Sequence, residues 1–226
     1  MNLSFNLTAI LYSFGTLVIA FLFHRFYSLQ KRKPTRFGFL FSRLVFWSGI
    51  GMAIYSFFFF FFSQNISYLR IGNIIGEPFL IIGFTYGFAV FFLLAKPTIS
   101  SYFIIIPLAL VGVFLSIFFH FLFPSFPLID GNGILHWNAQ FPSALNYSIF
   151  SFLGIFPLAI ALFGEAGKNK EDKKVRRRSI FLGIGTICVL IGGIVLSFAA
   201  TKIIYTLALL VQNFGFIFFF ISTLFN

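Results

Sequence analysis

Apolar residues run along this chain in seven stretches, at about 4–23, 38–62, 73–95, 102–123, 144–163, 179–200 and 203–225. Each is close to the roughly 20 residues that a helix needs to cross a bilayer. The breaks between them are polar and chemically distinct. The first stretch runs into Gln30-Lys31-Arg32-Lys33-Pro34, the second ends in Ser63-Gln64-Asn65, and the third and fourth are parted by Lys96-Pro97-Thr98 with Ser100 and Ser101 as N-cap candidates. Pro124, Pro127 and Asp130-Gly131-Asn132-Gly133 interrupt the chain before the fifth stretch, and a lysine- and arginine-rich segment precedes the sixth. The weakest break is Ala200-Thr201-Lys202. One continuous helix over 179–225 would be about 70 Å long at 1.5 Å per residue, far more than a bilayer needs. The pattern predicts an all-α bundle of seven spans forming one transmembrane domain over 1–226. Six spans plus a re-entrant segment is the alternative.

Composition agrees. Of 226 residues, 59% are hydrophobic and only 9% charged, with a mean hydropathy of +1.00. Soluble domains carry about 25% charged residues. This chain has too little charge to coat a water-facing surface, which excludes a soluble enzyme, a nucleic-acid-binding domain and a disordered chain. The net charge of +11 is explained by where the cations lie. Of 16 Lys and Arg residues, all but Arg43, Arg70 and Lys202 fall in breaks on one side of the predicted bundle, and Arg43 is within snorkelling reach of that side. By the positive-inside rule the N-terminus is expected outside and the C-terminus in the cytoplasm. The opening residues Met1-Asn2-Leu3-Ser4 carry no positive charge, so no cleaved signal peptide is expected.

Spans one and five run in the same direction, and each is followed by a basic loop and two more spans. That suggests two three-helix units joined by span four, a 3+1+3 layout. The segments 7–14 and 145–152 are weakly alike, which is also what chance yields in so phenylalanine-rich a chain. Gly72, Gly76, Gly83 and Gly87 form a smooth face on span three, and Gly185, Gly192 and Ala199 do the same on span six, so both are expected at close helix contacts. The run Phe57 to Phe62 is expected to face lipid or fill gaps rather than serve a pocket.

Polar groups at membrane depth are costly and are therefore the functional candidates. Glu77, the only acid within a predicted span, precedes Pro78, which removes a backbone donor. His120 ends a stripe with Gly112 and Ser116 on span four. Tyr205 and Gln212 share a face of span seven, with Asn213 beside them. Asn146, Tyr147, Ser151, Tyr12 and Tyr55 complete the set. A ligand or ion site is expected in the outer half, around Glu77, His120 and the top of span seven, with Tyr205, Gln212 and Asn213. The plain alternative has Glu77 snorkelling to Arg70 or Lys202, His120 facing lipid, and the two amides bonding neighbouring helices. The outer segment 126–138 is expected to form a hairpin around Asp130-Gly131, with Trp137 at headgroup level. The loop 165–178, with Lys173, Lys174, Arg176, Arg177 and Arg178, would meet anionic lipid or an acidic partner, or else act only as a topology signal. No protease, hydrolase or nucleotide-binding motif occurs, the single Cys188 permits no thiolate cluster, and Glu77 has no second carboxylate beside it for acid–base chemistry. No enzyme activity, cofactor or metal is expected.

The seven-span plan with its N-terminus outside, the short basic inner loops and the segment Asp130-Gly-Asn-Gly-Ile-Leu-His-Trp137 leading into span five resemble the seven-helix N-terminal sensory membrane modules of bacterial histidine kinases. The resemblance covers nearly the whole chain. It implies a sensor-like or receptor-like bundle in a bacterial plasma membrane, one that signals through a partner because no coiled coil or kinase follows Asn226. It transfers no catalytic residue. The rival reading is a transporter of a small solute or ion, with a polar site between spans three, four and seven.

Overall fold

A computed structural model describes residues 7–95, 102–129, 135–137, 139–199 and 201–225. Seven long helices account for almost all of it: α1 Leu7–Arg32, α2 Arg36–Phe62, α3 Ile66–Ala95, α4 Tyr102–Leu122, α5 Phe141–Lys168, α6 Lys173–Phe198 and α7 Lys202–Ser222, with a closing 3-10 turn Thr223–Phe225. All seven are long and apolar enough to cross a membrane, so the bundle is an integral membrane fold and the six-span alternative is set aside. Between α4 and α5 lie two short antiparallel strands, β1 Leu128–Ile129 and β2 Leu135–His136, paired Leu128 with His136 and Ile129 with Leu135. They are the arms of the expected hairpin; its turn, like Ser100 and Ser101, lies outside the described residues.

Several helices extend past the apolar stretches, because polar residues at an interface keep helical geometry when a cap holds the end. Thr35 accepts the Gly38 amide at 3.0 Å to start α2. Asp172 accepts the amides of Lys174 and Val175 at 3.0 and 3.1 Å to start α6, and Thr201 accepts that of Ile204 at 3.4 Å to start α7. Two expectations change. The basic run Lys173–Arg178, expected in a loop, forms the first turns of α6. Helix α3 begins at Ile66 rather than near 73, which places Glu77 about 16 Å from its start instead of some 7 Å.

Following the contacts, α1 packs on α2, α2 on α3, α3 on α5, α5 on α6, α6 on α7, and α7 returns to α1. Helix α4 lies on the seam of α3 and α5 and is the most exposed helix, with Phe103 and Phe121 82% and 73% exposed. Such faces suit lipid. The glycine face of α3 receives α2: a side chain at Gly76 would stand 2.9 Å from the Tyr55 ring, so only glycine lets that tyrosine lie against the helix. Several contacts are backbone on backbone. A Cβ at Gly87 would come within 2.7 Å of the Gly154 carbonyl oxygen, joining α3 to α5, and Gly185 and Gly215 stand in the same 2.7 Å relation between α6 and α7. Of the Phe57–Phe62 run, Phe57 and Phe61 are exposed as expected, but Phe59 is wholly buried and packs 4.8 Å from the Tyr12 ring.

These contacts leave no room for larger residues. Gly154→Leu and Gly215→Leu are each expected to destabilise the solubilised protein by about 1–3 kcal/mol or more, through forced helix separation. Gly164→Ala and Gly167→Ala, on α5 where an added Cβ meets nothing within 4 Å, should be neutral or slightly stabilising. Thermal unfolding of the four variants side by side checks this.

Candidate functional site

Glycine contacts draw α2, α3, α5, α6 and α7 together on their apolar faces, and at the hairpin end the polar residues of those helices converge. Ser116 and His120, one turn apart on α4, present their polar atoms to Glu77 of α3. The Ser116 hydroxyl donates to Glu77 Oε1 at 2.8 Å, and His120 Nε2 lies 2.9 Å from Glu77 Oε2. All three residues are at least nine-tenths buried. Glu77 therefore turns inward across the α3–α4 interface rather than snorkelling to Arg70, whose guanidinium sits 5.6 Å over the Phe126 ring. His120 faces the bundle, not lipid. Burying a carboxyl group is costly unless its oxygens have partners, and both oxygens of Glu77 have one.

Around this group is a small, partly open cavity of ≈ 50 Å³. Its walls come from α1 through Tyr12, α2 through Met52 and Tyr55, α3 through Asn73, Glu77 and Leu80, α4 through His120, α5 through Ser143, Ala144 and Tyr147, α6 through Gly193, Leu196 and Ser197, and α7 through Gln212. Trp137 closes it from the segment after β2, its ring 5.5 Å from Tyr55 and 5.1 Å from Phe59. The indole is buried, received by the aromatic shelf of Tyr55 and Phe59.

Most polar groups here are satisfied. The Tyr55 hydroxyl donates to Asn73 Oδ1 at 3.0 Å, and Asn73 Nδ2 donates to the Ser125 hydroxyl at 3.3 Å, which ties α2 and α3 to the segment leading into the hairpin. The hydroxyls of Tyr12 and Tyr205 are 3.3 Å apart, linking α1 to α7. Gln212 Oε1 is an exception: it is buried without a hydrogen-bond partner. A second cavity of ≈ 40 Å³ lies next to the first and shares Met52, Leu80, Tyr147 and Gln212 with it. Its remaining walls are mostly apolar, including Ile19, Leu44, Phe84 and Phe216.

Of the expected site residues, Glu77, His120 and Gln212 line the cavity. Tyr205 stands behind Tyr12 rather than on the wall. Asn213 points elsewhere: its Nδ2 donates to the Leu209 carbonyl at 2.9 Å, and its Oδ1 faces Gly15 of α1, where an added Cβ would lie 2.9 Å away. A 100° step per residue separates it from Gln212. Asn73 was missed; its spacing of four from Glu77 places both on one face, which is a readable signal once α3 is known to start before it.

At the opposite end, Lys173, Lys174, Arg176 and Arg177 are exposed and Arg178 is half-buried. Arg32, Lys33, Lys174 and Arg178 border a wide groove of ≈ 610 Å³ whose apolar side includes Phe26, Phe37 and Phe225. Among the described residues the ion pairs are Glu77 with His120 and Glu165 with Lys168, so none joins these cations to a carboxylate. No group of three or more potential metal ligands occurs among the described residues.

No family model matches the chain, and a search of curated proteins finds no significant relative. The likeness to histidine-kinase sensory modules thus holds at the level of a generic seven-helix membrane bundle.

The buried pair should behave as a unit. Glu77→Ala and His120→Ala are each expected to cost about 3 kcal/mol or more by stranding the other partner in the interior. The double variant should cost less than their sum by about 1–3 kcal/mol. A double-mutant cycle on thermal or denaturant unfolding measures that coupling, and strict additivity would show the pair to be energetically idle.

Proposed function

We propose that this chain is a sensor-like membrane bundle that receives a small ligand in the hairpin-end cavity and signals through a partner protein, without catalysis of its own. In this reading the hairpin end faces outward, as the placement of the cations implies. The basic end then faces the cytoplasm of a bacterial cell, and the 3+1+3 grouping of helices belongs to the same reading. The observation that supports the reading best is the buried Glu77–Ser116–His120 group on the wall of a cavity closed by Trp137. Charge and hydrogen-bonding capacity held at membrane depth, next to unfilled space, are what a ligand site needs and what packing alone does not. The cations at the start of α6 would rest on anionic lipid headgroups or dock an acidic partner.

A transport reading draws on a different observation. The polar and apolar cavities adjoin and share Met52, Leu80, Tyr147 and Gln212 in their walls, where a connected path would have to open. The two readings differ in access. On a Cys188→Ser background, Gln212→Cys in a receptor should react with a membrane-impermeant thiol reagent from the hairpin side alone. In an alternating-access transporter it should react from each side in turn. Labelling from both faces, with saturable proteoliposome uptake lost in Gln212→Leu, would overturn the sensor-like assignment.

The basic end carries its own test. Replacing Arg176, Arg177 and Arg178 by Gln should weaken association of the detergent-solubilised protein with anionic vesicles, since each cation near such a surface contributes about 1 kcal/mol. Unchanged association would leave these residues as a topology signal only.

A further inference from the structure

We propose that the groove at the basic end is a discrete site for one anionic phospholipid, its phosphate held by cations of α1 and α6 and an acyl chain laid against Phe26, Phe37 and Phe225. This builds on the lipid reading of the basic end and narrows it from a charged surface to a single site.

The site is a gap that the bundle leaves. Helix α6 packs on α5 and α7, and α1 packs on α2 and α7, so the start of α6 and the α1–α2 corner border the groove without close helix contact. Arg32 comes from the last turn of α1, with Lys33 next to it. Lys174 and Arg178, four residues apart, share one face of α6. Phe26 of α1, Phe37 of α2 and Phe225 of the closing turn supply the apolar side. Their rings are braced by neighbours: Phe26 and Phe37 lie 4.8 and 5.6 Å from the Phe41 ring, and Phe225 stacks at 5.4 Å on Phe181.

Two features select an anion. Four cations stand on the groove against one carboxylate, Asp172, whose Oδ1 already accepts the Lys174 and Val175 amides. Among the described residues no ion pair reaches any of the four. The other side-chain oxygens on the groove are also in use. Gln30 Oε1 accepts the Thr35 amide at 3.2 Å, and the Thr35 hydroxyl accepts that of Gly38 at 3.0 Å. What the groove has left to give is mainly donors, and an arginine fork matches the oxygens of a phosphate.

A third feature selects a lipid over a soluble anion. Along α1 the groove residues change from Phe26 and Leu29 to Arg32 and Lys33 within about 10 Å. That is the order in which a leaflet passes from acyl chain to phosphate. The groove also lies at the end of helices long and apolar enough to span a membrane, where such lipids are the surrounding medium. A free phosphate would use the cations and leave the phenylalanines to water.

The sequence supplies its own control. Lys173, Arg176 and Arg177 are exposed cations of the same helix turns that do not border the groove. The full chain, purified in detergent and stripped of lipid, is titrated with dioleoylphosphatidylglycerol and separately with dioleoylphosphatidylcholine, and native mass spectrometry counts the lipids bound. One phosphatidylglycerol should bind about tenfold or more tightly than the first phosphatidylcholine, which has the same chains and no net charge. Arg32→Gln with Arg178→Gln should weaken that binding about tenfold or more. Lys33→Gln with Lys174→Gln, both at exposed positions where folding is not at stake, should weaken it in the same direction. Arg176→Gln with Arg177→Gln removes equal charge away from the groove and should cost less than about threefold. Excess glycerol 3-phosphate should not displace the lipid.

Equal losses from the groove pairs and the outer pair would overturn the discrete site while leaving the general attraction of the basic end for anionic lipid standing. Equal affinity for the two lipids would overturn both. Displacement by glycerol 3-phosphate would make this a site for free phosphate. Occupation by a polyglutamate peptide, with phosphatidylglycerol inert, would make it a protein-docking site, and either result overturns the proposal.

Discussion

Lipid tails are as apolar as leucine, so burying hydrophobic side chains between membrane helices gains little, and close approach of backbones has to hold the bundle together. Here that approach occurs where glycine faces glycine, at Gly87 and Gly154 between α3 and α5 and at Gly185 and Gly215 between α6 and α7. The first contact has a further consequence. It brings α3 against α5 while α4 rides on their seam, and it is this seating that points Ser116 and His120 of α4 at Glu77. A bulkier residue at Gly154 would therefore disturb both the packing and the seating of the Glu77–Ser116–His120 group, about 15 Å along α3 toward the hairpin end.

The two cavities differ because the upper part of the bundle is built from different residues than the lower. Below, large apolar side chains such as Leu22, Leu158 and Phe216 line the second cavity. Above, Gly193, Ala144 and Ser197 line it together with tyrosines whose hydroxyls are drawn to partners at the walls, Tyr55 to Asn73 and Tyr12 to Tyr205. Small residues and tethered rings leave a space that no side chain fills. Trp137 roofs it, and the Asn73–Ser125 bond anchors the segment that leads into the hairpin. Roof and charged wall are thus coupled through α3, which carries both Asn73 and Glu77.

Much of this was legible in the sequence, for a local reason. A membrane helix is defined by its own twenty or so residues, so seven apolar stretches become seven helices without reference to neighbours. The helix ends were less legible, since Asp172 and Thr201 cap helices that begin in polar segments, where hydropathy has no signal. Glu77, His120 and Gln212 stood out because polar groups at depth are rare, and all three line the cavity. Asn213 was equally rare but faces α1, and only the rotation of α7 against Gly15 decides that. The burial of Trp137 was not legible, because the shelf of Tyr55 and Phe59 that receives it comes from another helix, beyond the reach of any local pattern.

The basic end runs against the electrostatics of the helix that it begins. A helix N-terminus carries a partial positive charge, and Lys173, Lys174, Arg176, Arg177 and Arg178 all lie in the first turns of α6, where cations are unfavourable. Asp172 answers part of this by accepting two backbone amides, but it is one carboxylate beside five cations. Stability of the isolated helix would favour acids there. The half-buried Arg178 lies beside the apolar side of the groove, so cation and hydrocarbon are presented together there. In the reading proposed above, an anionic leaflet would cover both and fix the depth of α6. Because α6 lines the cavity with Gly193, Leu196 and Ser197 near its other end, that depth would also bear on the size of the cavity.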